Sequence, residues 1–270
     1  MTFVSRLLLL LMFIFMSSTS ASPSSKTVYL IRHAESEENR RIASLSRCFR
    51  SLAKLSLPSS ADVTASTELL NVYAQVDSNV SEIGKKQIAE MGDKLKQADF
   101  ITSTGIQLVA HSPLLRARQT SEGMLGCVAP DIKSVPVDRV VEVDLLAEKT
   151  PQEWTPLCYG GFIQRIANFE QWLGEQPEKA VAIVGHSQYF KTMLGLNFKF
   201  GNCDVWEVTF DPSKRVGEPK VIDSSTAEES VRAHENKEEE RIEEKGSWTL
   251  PPQWSSLKQL YKCQVESSKK

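Results

Sequence analysis

Thr27-Val28-Tyr29-Leu30-Ile31-Arg32-His33-Ala34-Glu35-Ser36-Glu37-Glu38-Asn39 is the stretch on which the fold turns. Thr27 to Ile31 is a short β-branched and aromatic run, the pattern of a buried strand. It stops at Arg32-His33, and Ser36 to Asn39 is polar and helix-initiating. A strand ending in Arg-His sets two phosphate-competent side chains at its carboxyl end, where open α/β sheets bind ligands. Arginine offers a planar fork of donors that matches phosphate oxygens. Histidine can act as nucleophile, general base or metal ligand. A solvated strand end can also read Arg-His, so the rest of the chain decides.

Two further strand candidates end the same way. Ile106–Ala110 runs into His111-Ser112-Pro113, and a helix predicted from Pro113 carries Arg116 and Arg118 in its first turns. Ala180–Val184 runs into Gly185-His186-Ser187. Helical periodicity marks Ser81–Gln97, with Gly84, Ile88, Met91 and Leu95 on one face, and Tyr159–Leu173, with Phe162, Ile166, Phe169 and Leu173. Strands are also predicted at Ile132–Val137 and Val205–Phe210, and a helix at Tyr189–Leu196. Strands alternating with helices predict an α/β fold, a mainly parallel sheet flanked by helices on both faces. Right-handed crossovers would bring Arg32-His33, His111-Ser112 with Arg116, and His186 to one edge of that sheet. The result would be a convergent cationic site.

Composition narrows the function classes. The 270 residues are 41% hydrophobic and 24% charged, with a formal net charge of −2. Such a chain has no basic excess to neutralise a nucleic-acid backbone. Arg6 followed by the apolar run Leu7–Met16, with small Thr19 and Ala21 behind it, reads as a signal peptide over residues 1–21. It predicts a secretory or extracellular protein with no stable membrane span after processing. An uncleaved anchor or an organelle transit sequence is the alternative. The five cysteines show no C-x-x-C spacing, hence no zinc or redox motif. Asn79-Val80-Ser81 is a glycosylation sequon, although Ser81 also stands where a helix N-cap is expected.

The expected domain spans residues 26–212. Within it, 40–76 reads as a helical cap, with an apolar stripe at Ile42, Leu45, Phe49 and Leu52 among Arg47, Arg50 and Lys54. Residues 213–270 read as a charged C-terminal extension, partly disordered and rich in glutamate between Ala227 and Lys245. Trp248, Leu250, Trp254, Leu257, Leu260 and Tyr261 then reappear. This closing segment docks either on the domain or on a protein partner, and the sequence leaves both open, as it leaves the oligomeric state.

Leu30-Ile31-Arg32-His33-Ala34-Glu35-Ser36 with Asn39 resembles the signature of the histidine phosphatase superfamily, in the branch shared with phosphoglycerate mutases. Ser112-Pro113-Leu114-Leu115-Arg116-Ala117-Arg118-Gln119-Thr120 resembles its second arginine motif, and Asp77 through Gln87 the segment before its first long helix. Leu146-Ala147-Glu148 stands in the place of its L-x-E acid, and Val184-Gly185-His186-Ser187 in that of its second histidine. Ala34 and Ser187 replace the usual glycines after the two histidines. The resemblance implies a metal-independent phosphomonoesterase with no cofactor, acting on a small phosphorylated substrate. His33 would be the nucleophile, with His186 and Glu148 the other catalytic groups. Arg32, Asn39, Arg116 and His186 would hold the phosphoryl group. Glu142 or Asp144 could take the acid's role in place of Glu148. A mutase, which returns the phosphate to its substrate, and a non-catalytic phospholigand-binding scaffold are the alternatives. His111 reads as structural, and His234 as a solvated bystander.

Overall fold

The computed structural model describes residues 25–40, 77–132, 136–150, 153, 156–215 and 249–267. The expected signal peptide, the cap beyond Arg40, the glutamate-rich stretch and His234 lie outside these residues.

Apolar runs with little polar alternation make strands that are covered on both sides. β1 (Lys26–Arg32), β2 (Leu108–His111) and β6 (Ala180–Gly185) are of this kind. Together with β5 (Arg139–Glu142), β7 (Val205–Phe210) and β8 (Trp254–Tyr261) they form a six-stranded sheet in the order β5-β2-β6-β1-β7-β8. The first four strands are mutually parallel, and β7 and β8 join antiparallel at one edge.

Alternate side chains of one strand enter different cores. Val28 and Leu30 of β1 pack with Val181 and Ile183 of β6 on one face, beneath α4 (Pro156–Glu175) and α5 (Ser187–Met193). Phe162, Ile166, Phe169 and Leu173 are the α4 contribution, as their spacing predicts. Tyr29 and Ile31 pack with Ala182 and Val184 on the other face. That face is covered by α1 (Glu82–Gln97), α2 (Phe100–Thr104) and α3 (Leu115–Leu125). Ser81 caps α1, its Oγ accepting from Gly84 N at 3.1 Å. The sequon hydroxyl is therefore buried in a cap.

Three expectations need correction. The helix expected from Pro113 begins at Leu115. Asp77 Oδ1 accepts from Leu115 N at 2.6 Å, so a distant carboxylate serves the first turn where no local cap exists. The strand expected at Ile132–Val137 is represented among the described residues only by β4 (Asp131–Ile132), which pairs with β3 (Cys127–Val128) in a separate ribbon. The sheet also runs past the boundary expected at residue 212, because the closing segment supplies β8. Trp254 is buried, its ring centroid 4.6 Å from that of Phe210. Its indole N–H donates to Glu170 Oε1 at 2.6 Å, and the Gln253 amide donates to the same carboxylate. Beyond β8, the backbone N–H groups of Gln264 and Val265 donate to the Glu90 carboxylate of α1. Among the described residues, no helix is long and apolar enough to cross a membrane.

Candidate active site

Register assembles the site. Arg32 pairs with Gly185 across β1 and β6, and His111 with Val184 across β2 and β6. The residues that follow, His33, His186 and Ser112, thus leave the sheet together at its carboxyl edge. The His33 and His186 rings lie 4.9 Å apart between centroids. Ser112 Oγ is 2.8 Å from His186 Nε2.

His33 is held in one orientation. Its Nδ1 is 2.6 Å from the Ala34 carbonyl, which can only accept, so Nδ1 carries the hydrogen and Nε2 keeps its lone pair. Asn202 donates to the His33 carbonyl at 2.8 Å, and His33 N donates to Gly185 O at 2.9 Å. The turn that follows is pinned from two helices, α3 and α1 with its cap. Ala34 N donates to Thr120 Oγ1, Glu35 N to Gln87 Oε1, and Ser81 N to Glu35 O. Gly84 makes this approach possible, since a Cβ there would fall 2.1 Å from the Glu35 carbonyl oxygen.

Burial, then His186, Arg116 and Arg32, hold the His33 pKa well below the ordinary 6.5. Burial, then Arg116 and Arg32, do the same for His186. Both rings are therefore neutral near pH 7. The hydroxyl of Ser112 accepts from Leu114 N at 3.3 Å and is free to give its proton to His186 Nε2. His186 Nδ1 then bears the hydrogen, and it has no partner.

Arg32 donates through Nη1 to the Phe200 carbonyl at 2.6 Å, while its Nε is buried without a partner. Arg116 Nη1 stands 3.2 Å from Glu38 Oε2, within ion-pair range but not aligned as a hydrogen bond. Asn39 Nδ2 is also buried and unpartnered, while its backbone N donates to Ser36 Oγ at 3.3 Å. Four nitrogen atoms on residues expected to hold phosphate thus have no hydrogen-bond partner among the described residues, in a protein interior where such groups are normally paired.

The structure brings Glu148 to the site. Its Oε2 lies 4.0 Å from His186 Nδ1, and its Oε1 accepts from Lys149 N at 3.0 Å. Burial raises its pKa above the ordinary 4.5, against the opposing pull of Arg116 and Arg32. Glu142 is exposed and stands 3.5 Å from Arg118, and Asp144 is exposed on a 3-10 turn, Asp144–Leu146. His111 is buried behind the site, its Nε2 accepting from Ala129 N at 2.9 Å. Among the described residues, no group of three His, Cys, Asp or Glu side chains could hold a metal ion.

Sequence reasoning gave no role to Ser112, Asn202, Thr120 or Gln87. Ser112, Thr120 and Gln87 lie inside quoted motifs, but only the folded geometry shows which backbone group or ring each one meets.

The fold and this edge define an α/β protein with a buried, donor-rich centre around a neutral histidine. No family model matches the chain, and no curated protein matches it. Solved structures do resemble it. One is Bacillus stearothermophilus YhfR, 17% identical over 69% of this chain and 92% of that chain, with a TM-score of 0.43. Another is a phosphoserine phosphatase from Entamoeba histolytica in complex with 3-phosphoglyceric acid, 15% identical over 69% and 90% of the two chains, TM-score 0.41. A third is a phosphoglycerate mutase from Bacillus anthracis, 13% identical over 71% and 90%, TM-score 0.42.

Proposed function

We propose that this chain is a phosphomonoesterase of the histidine phosphatase superfamily, working through a covalent phosphohistidine on His33. The observation that carries the reading is the set of buried donors without hydrogen-bond partners among the described residues: Arg32 Nε, Arg116 Nη1, His186 Nδ1 and Asn39 Nδ2. A buried donor left unpaired costs about 1–3 kcal/mol, and a site that accumulates several is complementary to an acceptor-rich anion. A phosphoryl group, with three equatorial oxygens in need of stabilisation, is such an anion.

The chemistry runs in two balanced steps. His33 Nε2 attacks phosphorus, the ester P–O bond breaks, and Glu148 gives its proton to the leaving oxygen, which departs as an alcohol. Water then attacks the phosphohistidine while the Glu148 carboxylate takes its proton. The P–N bond breaks, inorganic phosphate leaves, and neutral His33 and protonated Glu148 are restored. A neutral His33 with a fixed lone pair suits the first step, and a carboxyl with a raised pKa suits both.

Steady-state release of inorganic phosphate from a panel of phosphoesters tests the reading. The expected result is turnover that is lost in His33→Ala. A mutase would instead return the phosphate to product, detectable as isomerised phosphoester without stoichiometric phosphate. Absence of turnover on every ester, with tight binding of the same esters, would favour a phospholigand-binding scaffold.

A further inference from the structure

Arg165 stands outside every motif in the chain, yet it holds the loop that carries the acid. It lies on α4, one turn after Phe162, with its side chain only 17% exposed. Its guanidinium carbon sits 5.1 Å from the centroid of the Phe162 ring and 5.8 Å from that of Tyr189. From there Nη1 donates to the carbonyls of Leu145, at 3.3 Å, and Ala147, and Nη2 to the carbonyl of Glu148 at 3.4 Å. Glu153 Oε2 accepts from Nη2 at 2.7 Å and balances the charge.

These carbonyls belong to a stretch with little regular structure to satisfy them. The chain leaves the 3-10 turn at Leu146 and runs irregularly through Thr150. Half-buried backbone acceptors in such a stretch take a donor from elsewhere. A planar fork with several donors in fixed directions holds three carbonyls at once with less loss of freedom than an ammonium on a flexible stem. Arg165 thereby fixes the backbone of Glu148. Lys149 N holds one carboxylate oxygen, and the other is left 4.0 Å from His186 Nδ1. Tyr189, beneath the same guanidinium, lies in the first turn of the short helix that His186 caps. One side chain therefore holds the backbone of Glu148 and packs on the helix that follows His186.

We infer that Arg165 is a positioning residue for proton transfer, acting through Glu148 without touching the substrate. The inference rests on the phosphatase reading given above. Proton donation matters most for a basic leaving group and least for an acidic phenol that leaves unaided. The test therefore compares an alkyl phosphate such as glycerol phosphate with p-nitrophenyl phosphate, for wild type, Arg165→Gln, Glu148→Gln and the double variant. Arg165→Gln should lower kcat/KM, which reports the phosphorylation step where the leaving group departs, by about 30-fold on the alkyl ester and by no more than about threefold on p-nitrophenyl phosphate. In the Glu148→Gln background the same change should cost less than about twofold, because residues acting as one unit are not additive. Should Arg165→Gln fail to fold, Arg165→Lys carries the same cycle, keeping the charge and losing the fork. Equal losses in kcat/KM on both esters, or full additivity with Glu148→Gln, would overturn the inference. A folded wild type that hydrolyses neither ester, nor any other in the panel, would overturn instead the reading on which it rests.

Discussion

The carboxylate of Glu148 stands 4.0 Å from Nδ1 of His186 with no hydrogen bond between the two. An ester oxygen accepting a hydrogen bond from His186 Nδ1 is then within reach of the Glu148 proton. Glu148 must be protonated for the first step, and burial raises its pKa above 4.5. The kcat/KM profile should fall as pH rises through that raised value. It should also fall on the acid side, where His33, with its pKa held well below 6.5, takes up a proton. Glu148→Gln should lose the alkaline limb on the same substrate, so that substrate ionisation cancels in the comparison. An unchanged alkaline limb in that variant would assign it to another group.

The two buried histidines make a second prediction, on stability. The unfolded chain binds protons on them near pH 6.5, whereas the folded protein does so only at lower pH. Their contribution is complete above 6.5 and is lost as pH falls below it, by up to about 1.4 kcal/mol per histidine per pH unit. Glu148 and Glu170 have raised values and act in the opposite sense. Their contribution is present below 4.5 and lost as pH rises through the folded values. Urea unfolding at about pH 7.5 and about pH 5.5 should show a fall in wild type that is clearly smaller in His33→Gln/His186→Gln.

The closing strand belongs to the fold energetically as well as topologically. Trp254→Ala removes a buried ring packed at a tilt against Phe210 and strips one partner from the Glu170 carboxylate. It should cost about 3–5 kcal/mol. Trp254→Phe keeps most of the packing and leaves the carboxylate short of one donor, for about 1–3 kcal/mol. Urea midpoints with unchanged slopes would measure both. A wild-type midpoint in Trp254→Ala would mean that β8 adds nothing to the domain.

Much of this arrangement is legible in the sequence because it is periodic or local. The apolar runs of β1 and β6 could only be buried strands, and the Phe162–Leu173 stripe could only face a core. Arg32, His33 and His186 announce themselves by ending such runs. Other features escape because their cause is distant in the chain. Asp77 serves the first turn of α3 from 38 residues away. Trp254 finds Glu170 from 84 residues away, and no local pattern around either residue signals the pairing. Arg165 looks from sequence like a solvated charge on an amphipathic helix, and only the fold shows its fork turned onto the carbonyls before Glu148. Which of Glu142, Asp144 and Glu148 stands beside His186 also needed the fold, since Glu142 ends β5 and the other two follow it within a few residues.

The central claim is that His33 becomes phosphorylated. Rapid quench with a 32P-labelled phosphoester, followed by peptide mapping of the denatured chain, tests it most directly. The label should appear within the first turnover on the peptide containing His33, survive base and be released by acid, and His33→Ala should carry none. Full turnover by His33→Ala, or an acid-stable label on another residue, would contradict it.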